Sequence, residues 1–213
     1  MLKTVRLLFA KQGRAKYTSH LDLNRMMTRA VRRAGIPLWY TEGFNRHPYL
    51  TFASPLSLGF ESEGEILELR LVEDMPFEEV TARMNAALPE GFRVLETFEA
   101  EHKVRDLQLA GYRMEIAASE KTVAELLAQA EILVEKRTKK KTMKTIDIRP
   151  AFEKAVVTPT AEGCCVEVVL PVSSENTVNP TLLITALTAK TGESVAFSVT
   201  RTGLYLADGK DFK

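Results

Sequence analysis

The sequence predicts an α+β protein made of two tandem ferredoxin-like (βαββαβ) halves with antiparallel sheets, at 1–106 and 107–213. The order strand, helix, strand, strand, helix, strand occurs twice along the chain when hydrophobic periodicity is followed. Each half has about 100 residues, which is enough to bury a core of its own. The hydrophobic content of 45% argues against disorder. The alternative is one larger mixed sheet, because no sequence repeat relates the two halves.

The first half begins with a strand at 2–10, followed by a helix that Ser19 can cap. From Leu23 onward, apolar residues recur at the spacing of one buried helix face, until Gly35 and Pro37 end the helix. The other elements predicted for this half are strands at 50–58 and 65–72 joined as a hairpin, a helix at 76–88 and a strand at 93–98.

The second half follows a boundary predicted near 104–111. Its two cysteines, Cys164 and Cys165, are adjacent, so they cannot form a metal-binding CxxC pair or an easy structural disulfide. We expect them to be core or strand residues. The elements predicted for this half are strands at 112–117, 145–148, 164–172 and 194–206 and helices at 121–133 and 179–191.

Charge is unevenly distributed, although the net charge is only +1. Residues 1–50 contain ten Lys or Arg against two acids, whereas residues 51–102 contain three against twelve. This segregation favours a dipolar surface whose basic side attracts phosphate. Folding that brings the segments together in space would instead cancel the field.

The sequence also predicts a cytoplasmic protein with no membrane contact. No run approaches the roughly 18 apolar residues of a membrane span, and the apolar run near the N-terminus is too short for a secretory signal.

Four arginines lie opposite the apolar face of the first predicted helix: Arg25, Arg29, Arg32 and Arg33. Arginine suits phosphate because its planar fork donates two parallel hydrogen bonds. Only Arg25 has an acid nearby in the helix, at Asp22. The pattern predicts contact with phosphate or nucleic acid, and the alternative is a solvated face or salt bridges to the acidic segment 61–79.

His20 and Asp22 lie at the start of this helix, and they are the first candidates for a catalytic pair. A histidine and an aspartate at a helix N-terminus can form an acid/base element, an anion site or a structural hydrogen bond. The helix dipole disfavours an imidazolium there, which favours the structural interpretation.

The segment 39–60 combines aromatic and cationic side chains, as sites for single-stranded nucleic acids do. Some of its aromatic residues fit strand alternation and belong to a core. We therefore place the function on the loop 42–49, with candidates Asn45, Arg46, His47 and Tyr49, of which His47 is also a catalytic candidate.

A third basic element is the lysine-rich segment 134–150, in which Lys139, Lys140 and Lys141 are the densest run. It is either an anion-binding hairpin or a solvated loop. No motif for an iron–sulfur cluster, a phosphate-binding loop, a zinc protease or a serine hydrolase occurs, and three histidines make a histidine-rich metal site improbable. We expect no metal and no cofactor in this chain.

Two motifs carry a resemblance to a known family. An SHLD-x-x-R motif covers Ser19, His20, Leu21, Asp22 and Arg25, and a GFN-x-HP motif covers Gly43, Phe44, Asn45, His47 and Pro48. With them, nearly the whole chain resembles the uncharacterised bacterial family of radical S-adenosylmethionine (SAM)-linked proteins, although Arg46 stands where that family commonly has proline. The resemblance implies a radical SAM partner that holds S-adenosylmethionine and an iron–sulfur cluster. It also implies a link to RNA, since such genes often lie beside those of ribosomal proteins and a ribonuclease.

The leading hypothesis is an RNA-binding or substrate-presenting accessory protein that works on tRNA or rRNA with this partner and is not an enzyme by itself. The alternative is a metal-independent endoribonuclease like the duplicated ferredoxin-like CRISPR RNA-processing enzymes, with His20 or His47 as general acid or base. A third hypothesis is that the acidic segment 61–101 docks a partner protein.

Overall fold

The computed structural model describes residues 2–137, 142–173 and 176–213 of an α+β protein with mostly antiparallel pairing. Two compact units divide the chain. Unit 1 consists of Met1–Leu107 and Arg201–Lys213, and unit 2 of Gln108–Thr200. Across the described ranges, no helix has the length and apolar character needed to cross a membrane.

The elements follow one another along the chain with these bounds. The first seven are β1 Lys3–Lys11, α1 His20–Arg33, β2 Leu50–Phe52, β3 Glu61–Leu71, α2 Phe77–Ala87, β4 Phe92–Glu99 and β5 Leu109–Ile116. The rest are α3 Glu120–Leu127, β6 Leu133–Arg137, β7 Met143–Asp147, β8 Val156–Thr160, β9 Gly163–Pro171, α4 Thr181–Thr191 and β10 Phe197–Tyr205.

The sheet of unit 1 contains the strand order β4-β1-β3, with the short β2 also pairing with β3. The pairings of β1 with β3 and β4, and of β2 with β3, are antiparallel. Side chains alternate across the sheet. Val5 and Leu69 are therefore buried in the core with α1 and α2, while Arg6, Glu68 and Arg70 lie on the opposite face.

Helix α1 forms because local signals agree with its burial. The Ser19 hydroxyl accepts a hydrogen bond from the Asp22 backbone N–H at 3.2 Å, which caps the first turn. Gly35 follows the last turn with a φ of +65°, a conformation that suits glycine and ends the helix as predicted. The core side chains are Leu23, Met27, Ala30 and Val31.

Unit 2 has the strand order β10-β5-β9-β8, and β6 and β7 form a separate two-stranded sheet. Cys164 and Cys165 lie in β9 as free, buried cysteines, which confirms the prediction for them. Burial, reinforced by the Glu115 carboxylate, raises the pKa of the Cys165 thiol to about 11. A thiol held neutral in this way is a packing residue.

Two predicted elements are clearly shorter in the structure, and two of its strands have no predicted counterpart. The strand expected at 50–58 ends at Phe52, because the carbonyl groups of Ser54 and Pro55 accept hydrogen bonds from Arg201. The helix expected at 121–133 ends at Leu127. Of the other residues expected in this helix, only Leu133 lies in a strand, as the first residue of β6, which pairs with β7 and has no predicted counterpart. Strand β8 was not predicted either.

Candidate nucleic-acid interface

All four arginines of α1 are exposed, as the helical period predicts, but their surroundings differ. Arg25 lies 3.5 Å from the Asp22 carboxylate, and Arg33 donates a hydrogen bond to the Ala87 carbonyl. The Arg32 guanidinium lies 5.8 Å from the centre of the Tyr40 ring. Within the described ranges, Arg29 has no hydrogen bond, ion pair or ring contact. Its full donor set is therefore available to an anion.

A cleft of about 400 Å³ runs along one flank of α1. It is lined by Asp22, Arg25, Met26, Arg29, Arg33 and Pro89. Three guanidinium groups against one carboxylate leave the cleft positively charged. Arg25, Arg29 and Arg33 are four residues apart, so their positions repeat about every 6 Å along the helix axis. Such a row suits successive phosphates of an extended strand.

The side chain of His20 packs on an aromatic ring. Its ring meets that of Phe52 edge to face, with centroids 5.3 Å apart. The Asp22 carboxylate instead accepts a hydrogen bond from the Ser19 hydroxyl at 2.7 Å. The described contacts therefore favour the structural interpretation of the histidine and the aspartate over a catalytic pair.

The loop 41–48 is closed at its base by three contacts between Thr41 and His47. The Thr41 backbone N–H donates to the His47 carbonyl at 2.9 Å, and the Thr41 hydroxyl accepts from the His47 backbone N–H at 3.2 Å. The same hydroxyl lies 3.2 Å from His47 Nδ1, which is also 3.1 Å from the Asn45 carbonyl oxygen. The imidazole is therefore oriented through Nδ1, and Nε2 faces away from these partners.

The tip of this loop is presented to solvent. Gly43 has a φ of +115°, which a side chain rarely adopts, so glycine permits the turn. The side chains of Phe44, Asn45 and Arg46 are exposed, and Phe44 is fully so. A fully exposed aromatic ring beside an exposed arginine is available to stack on a planar ligand.

The structure brings the basic helix and the aromatic segment into contact at both ends of α1. His20, in the first turn, contacts Phe52, and Arg32, in the last turn, contacts Tyr40. The two motifs therefore form one surface in unit 1. The described contacts do not join His20 to His47.

On the other face of the sheet, the candidate Tyr49 and the neighbouring Trp39 contact Arg70, a residue that sequence analysis missed. The Arg70 guanidinium lies 4.1 Å from the centre of the Tyr49 ring and 5.5 Å from that of Trp39. We call these three residues the platform. The signal that could have found Arg70 is the alternation of charged and apolar residues along β3, from Leu67 to Leu71.

Below the start of α1, three buried charged side chains form a cluster. Arg201 pairs with Glu65 at 3.1 Å, and Lys11 donates to the carbonyls of Lys16 and Thr18 at 3.3 and 3.0 Å. Burial lowers the pKa of Lys11, and the nearby Glu65 carboxylate partly offsets this. The cluster fixes the turn from which α1 begins.

The lysine-rich element is only partly described, because the candidates Lys139, Lys140 and Lys141 lie outside the described residues. In the strands on either side, Lys136 and Lys144 lie directly opposite each other. Lys136 donates a hydrogen bond to the Thr177 carbonyl at 2.8 Å. Among the residues with described positions, no group of three or more His, Cys, Asp or Glu side chains could hold a metal ion.

Comparison with known proteins places the chain in a family. A search of curated proteins found no match. The family model DUF2344 matches residues 4–180, a span that includes the arginines of α1, the loop and the platform. The chain therefore belongs to this family, which is described as an uncharacterized protein conserved in bacteria.

Proposed function

We propose that this protein binds RNA on the surface formed by α1 and the loop 41–48. The observation that carries the proposal is the junction of the two motifs, in which α1 contacts the aromatic segment through His20 and Arg32. Arginines supply phosphate contacts, and exposed rings supply stacking for bases. Arg29 and Arg46 are exposed and, in the described part of the chain, have no acidic partner.

The proposal is tested by the salt dependence of binding. The purified protein should bind tRNA or rRNA fragments at low salt, with an affinity that falls steeply as salt increases. Replacing Arg29 and Arg46 by alanine should weaken binding to every sequence. It should also reduce the logarithmic salt slope by about 0.7 for each phosphate of a single strand that the protein no longer neutralises. Fluorescence anisotropy titrations at several salt concentrations measure both.

The control for each single replacement, Arg29→Ala or Arg46→Ala, is Arg93→Ala, which likewise removes one charge, from an exposed position in β4 of unit 1. It should leave the slope unchanged. Failure of the unaltered protein to bind either RNA at low salt would refute the proposal. If the control lost as much affinity as the variants of the proposed surface, the weakening would be an effect of net charge and not of this surface.

We infer further that each unit is a ferredoxin-like half. The order β4-β1-β3 with β2 beside β3 supports this for unit 1, where α1 and α2 connect the strands. The order β10-β5-β9-β8 supports it for unit 2, in which the hairpin of β6 and β7 is an insertion. An experimental structure with another strand order in either unit would contradict this.

The resemblance to radical SAM-linked proteins supports the proposal that the protein presents RNA to a radical SAM partner. The partner, and not this chain, would hold S-adenosylmethionine and the iron–sulfur cluster. Co-expression followed by affinity purification should recover the pair. Mass spectrometry of tRNA and rRNA from cells lacking this protein should show a missing modification, and an unchanged set would argue against the accessory role.

A metal-independent endoribonuclease is the second candidate, and the geometry of His47 favours it. Its Nδ1 is held by Thr41 and Asn45, which orients the ring as a general acid or base requires. Labelled RNA incubated with EDTA should then be cleaved, and His47→Ala should abolish the cleavage. RNA that stays bound and intact supports the accessory role instead.

A further inference from the structure

We propose that the platform of Trp39, Tyr49 and Arg70 is a binding site for an unpaired nucleotide, so that the RNA bound by this protein is single-stranded. This inference rests on the proposed function. To the proposed function it adds a class of ligand, namely the exposed base and phosphate of a single strand. It also adds a binding site that is separate from the arginines of α1.

The platform lies on the side of the sheet that α1 does not cover. Leu69 and Leu71 are fully buried in the core beneath α1 and α2. Arg70, between them in β3, therefore projects from the opposite face. Tyr49 immediately precedes β2, next to the loop 41–48, and Trp39 leads into that loop. A strand that follows the loop can therefore reach the platform.

The platform offers both an aromatic surface and free hydrogen-bond donors. A guanidinium 4.1 Å from a ring centre is held by cation–π attraction, which leaves its N–H groups available. Across the ranges that the structure describes, Arg70 has no carboxylate partner. Each of the three side chains keeps part of its surface in solvent. An arginine with this arrangement can stack on a base or donate two hydrogen bonds to a phosphate.

Two buried charges hold the platform in position. The Tyr49 hydroxyl donates to Glu68 at 3.2 Å, and Glu68 accepts from Arg6 at 2.8 Å. Arg6 is fully buried and lies 4.3 Å from the centre of the Phe212 ring. Because the tyrosine ring is fixed from beneath, a ligand that stacks there orders little of the protein.

These features favour a single strand over a duplex. A duplex hides the faces of its bases in the stack, whereas the bases of an unpaired strand can turn outward onto aromatic and arginine side chains. Phosphate contacts alone would accept either form. The platform supplies the preference for unpaired RNA.

The site contains its own spectroscopic probe, because Trp39 is the single tryptophan of the chain. A short mixed-sequence single-stranded RNA should quench its fluorescence on binding, and the duplex of that RNA with its complement should quench it less and bind more weakly. Anisotropy of the labelled RNA reports total binding in the same titration. Duplex bound as tightly as the single strand, with equal quenching, would overturn the inference.

Variants of Arg70 and Tyr49 test the platform directly. Arg70→Ala should weaken single-strand binding by about fivefold or more, since loss of a stacking position costs at least that. Arg70→Lys keeps the charge but not the planar fork, so it should restore only part of the affinity. Tyr49→Phe keeps the ring but lacks the hydroxyl that binds Glu68, and it should lose less affinity than Tyr49→Ala.

The control Arg93→Ala should leave both signals unchanged, and thermal unfolding of every variant separates loss of binding from loss of fold. RNA bound normally by Arg70→Ala would refute the platform and leave the proposed function intact. An unaltered protein that binds no RNA at all would refute the proposed function itself.

Discussion

Lys11 is the residue that joins the buried charges of unit 1 to the start of α1. Its ammonium group donates to two carbonyls in the turn before the helix, and its side chain is almost completely buried. Burial penalises the charged form, so the pKa of Lys11 is lowered from 10.5. The residue stabilises the turn through hydrogen bonds while its desolvated charge costs stability.

We predict that Lys11→Met lowers the free energy of unfolding at neutral pH. We also predict that it removes a rise in stability that the lysine provides as pH increases. Loss of the hydrogen bonds should lower the free energy of unfolding at neutral pH by about 1–3 kcal/mol. As pH rises from the lowered pKa toward 10.5, the unfolded lysine binds a proton that the folded one has released, so this residue adds stability with increasing pH. Urea denaturation between pH 7 and pH 10.5 measures both.

The comparison is with Lys3→Met, which removes a lysine of the same strand that pairs with the exposed Asp74. Its stability should parallel that of the unaltered protein across the pH range. If the stability of Lys11→Met also changed with pH in parallel with that of the unaltered protein, the lowered pKa of Lys11 would be refuted.

At the residue scale, the sequence could predict which side chains of α1 face solvent but not which charges of β3 are paired. The helical period placed Arg25, Arg29, Arg32 and Arg33 outside because it is a local signal. Glu68 pairs with Arg6, which is 62 residues away, and Glu65 pairs with Arg201, which is 136 residues away. Such pairings depend on the strand order, which no local pattern contains.

At the scale of elements, two helices begin with the same cap. The Ser19 hydroxyl accepts from the Asp22 N–H in α1, and the Ser119 hydroxyl accepts from the Thr122 N–H in α3. The first helix carries the proposed RNA surface, whereas the second lies in unit 2. This offers a matched pair of substitutions.

We predict that Ser19→Ala and Ser119→Ala each destabilise their own helix, by about 1 kcal/mol. Only Ser19→Ala should also weaken RNA binding, because fraying of the first turn displaces Arg25 and the cleft beside it. Hydrogen exchange of the helix amides and anisotropy titrations measure the two effects. The expectation fails if Ser119→Ala weakens RNA binding as much.

The elements that the sequence predicted well are those with strong local signals. α1 has a cap, a periodic apolar face and a terminating glycine, and the structure has all three. β6 lies in the segment 134–150, for which the charge run left a hairpin and a solvated loop as alternatives, and β8 contains Pro159, which argues against a strand. β2 is shorter than predicted because Arg201, from the far end of the chain, binds the carbonyls that would have extended it.

At the scale of the whole molecule, unit 1 is discontinuous in sequence. Residues 201–213 belong to it, and they contribute Arg201, the partner of Glu65, and Phe212, which covers Arg6. Both contacts are buried. A carboxylate left without its partner in such a place is costly.

We therefore predict that Arg201→Met destabilises unit 1 by about 3–5 kcal/mol, because Glu65 is left buried and unpaired. Hydrogen exchange should show faster exchange in β1 and β3, with β5 and β9 less affected. Adding Glu65→Leu should recover part of the loss. Lys210→Met, which removes an exposed pair with Asp208 in the same segment, serves as the control and should change neither unit.

The discontinuity of unit 1 has a consequence for protein synthesis. Domains usually fold as they leave the ribosome, the N-terminal one first. Here unit 1 lacks Arg201 and Phe212 until all of unit 2 has been translated. Glu65 and Arg6 would meanwhile be exposed on a growing chain without their final contacts, so the unit whose larger part is translated before the other is the last to complete its fold.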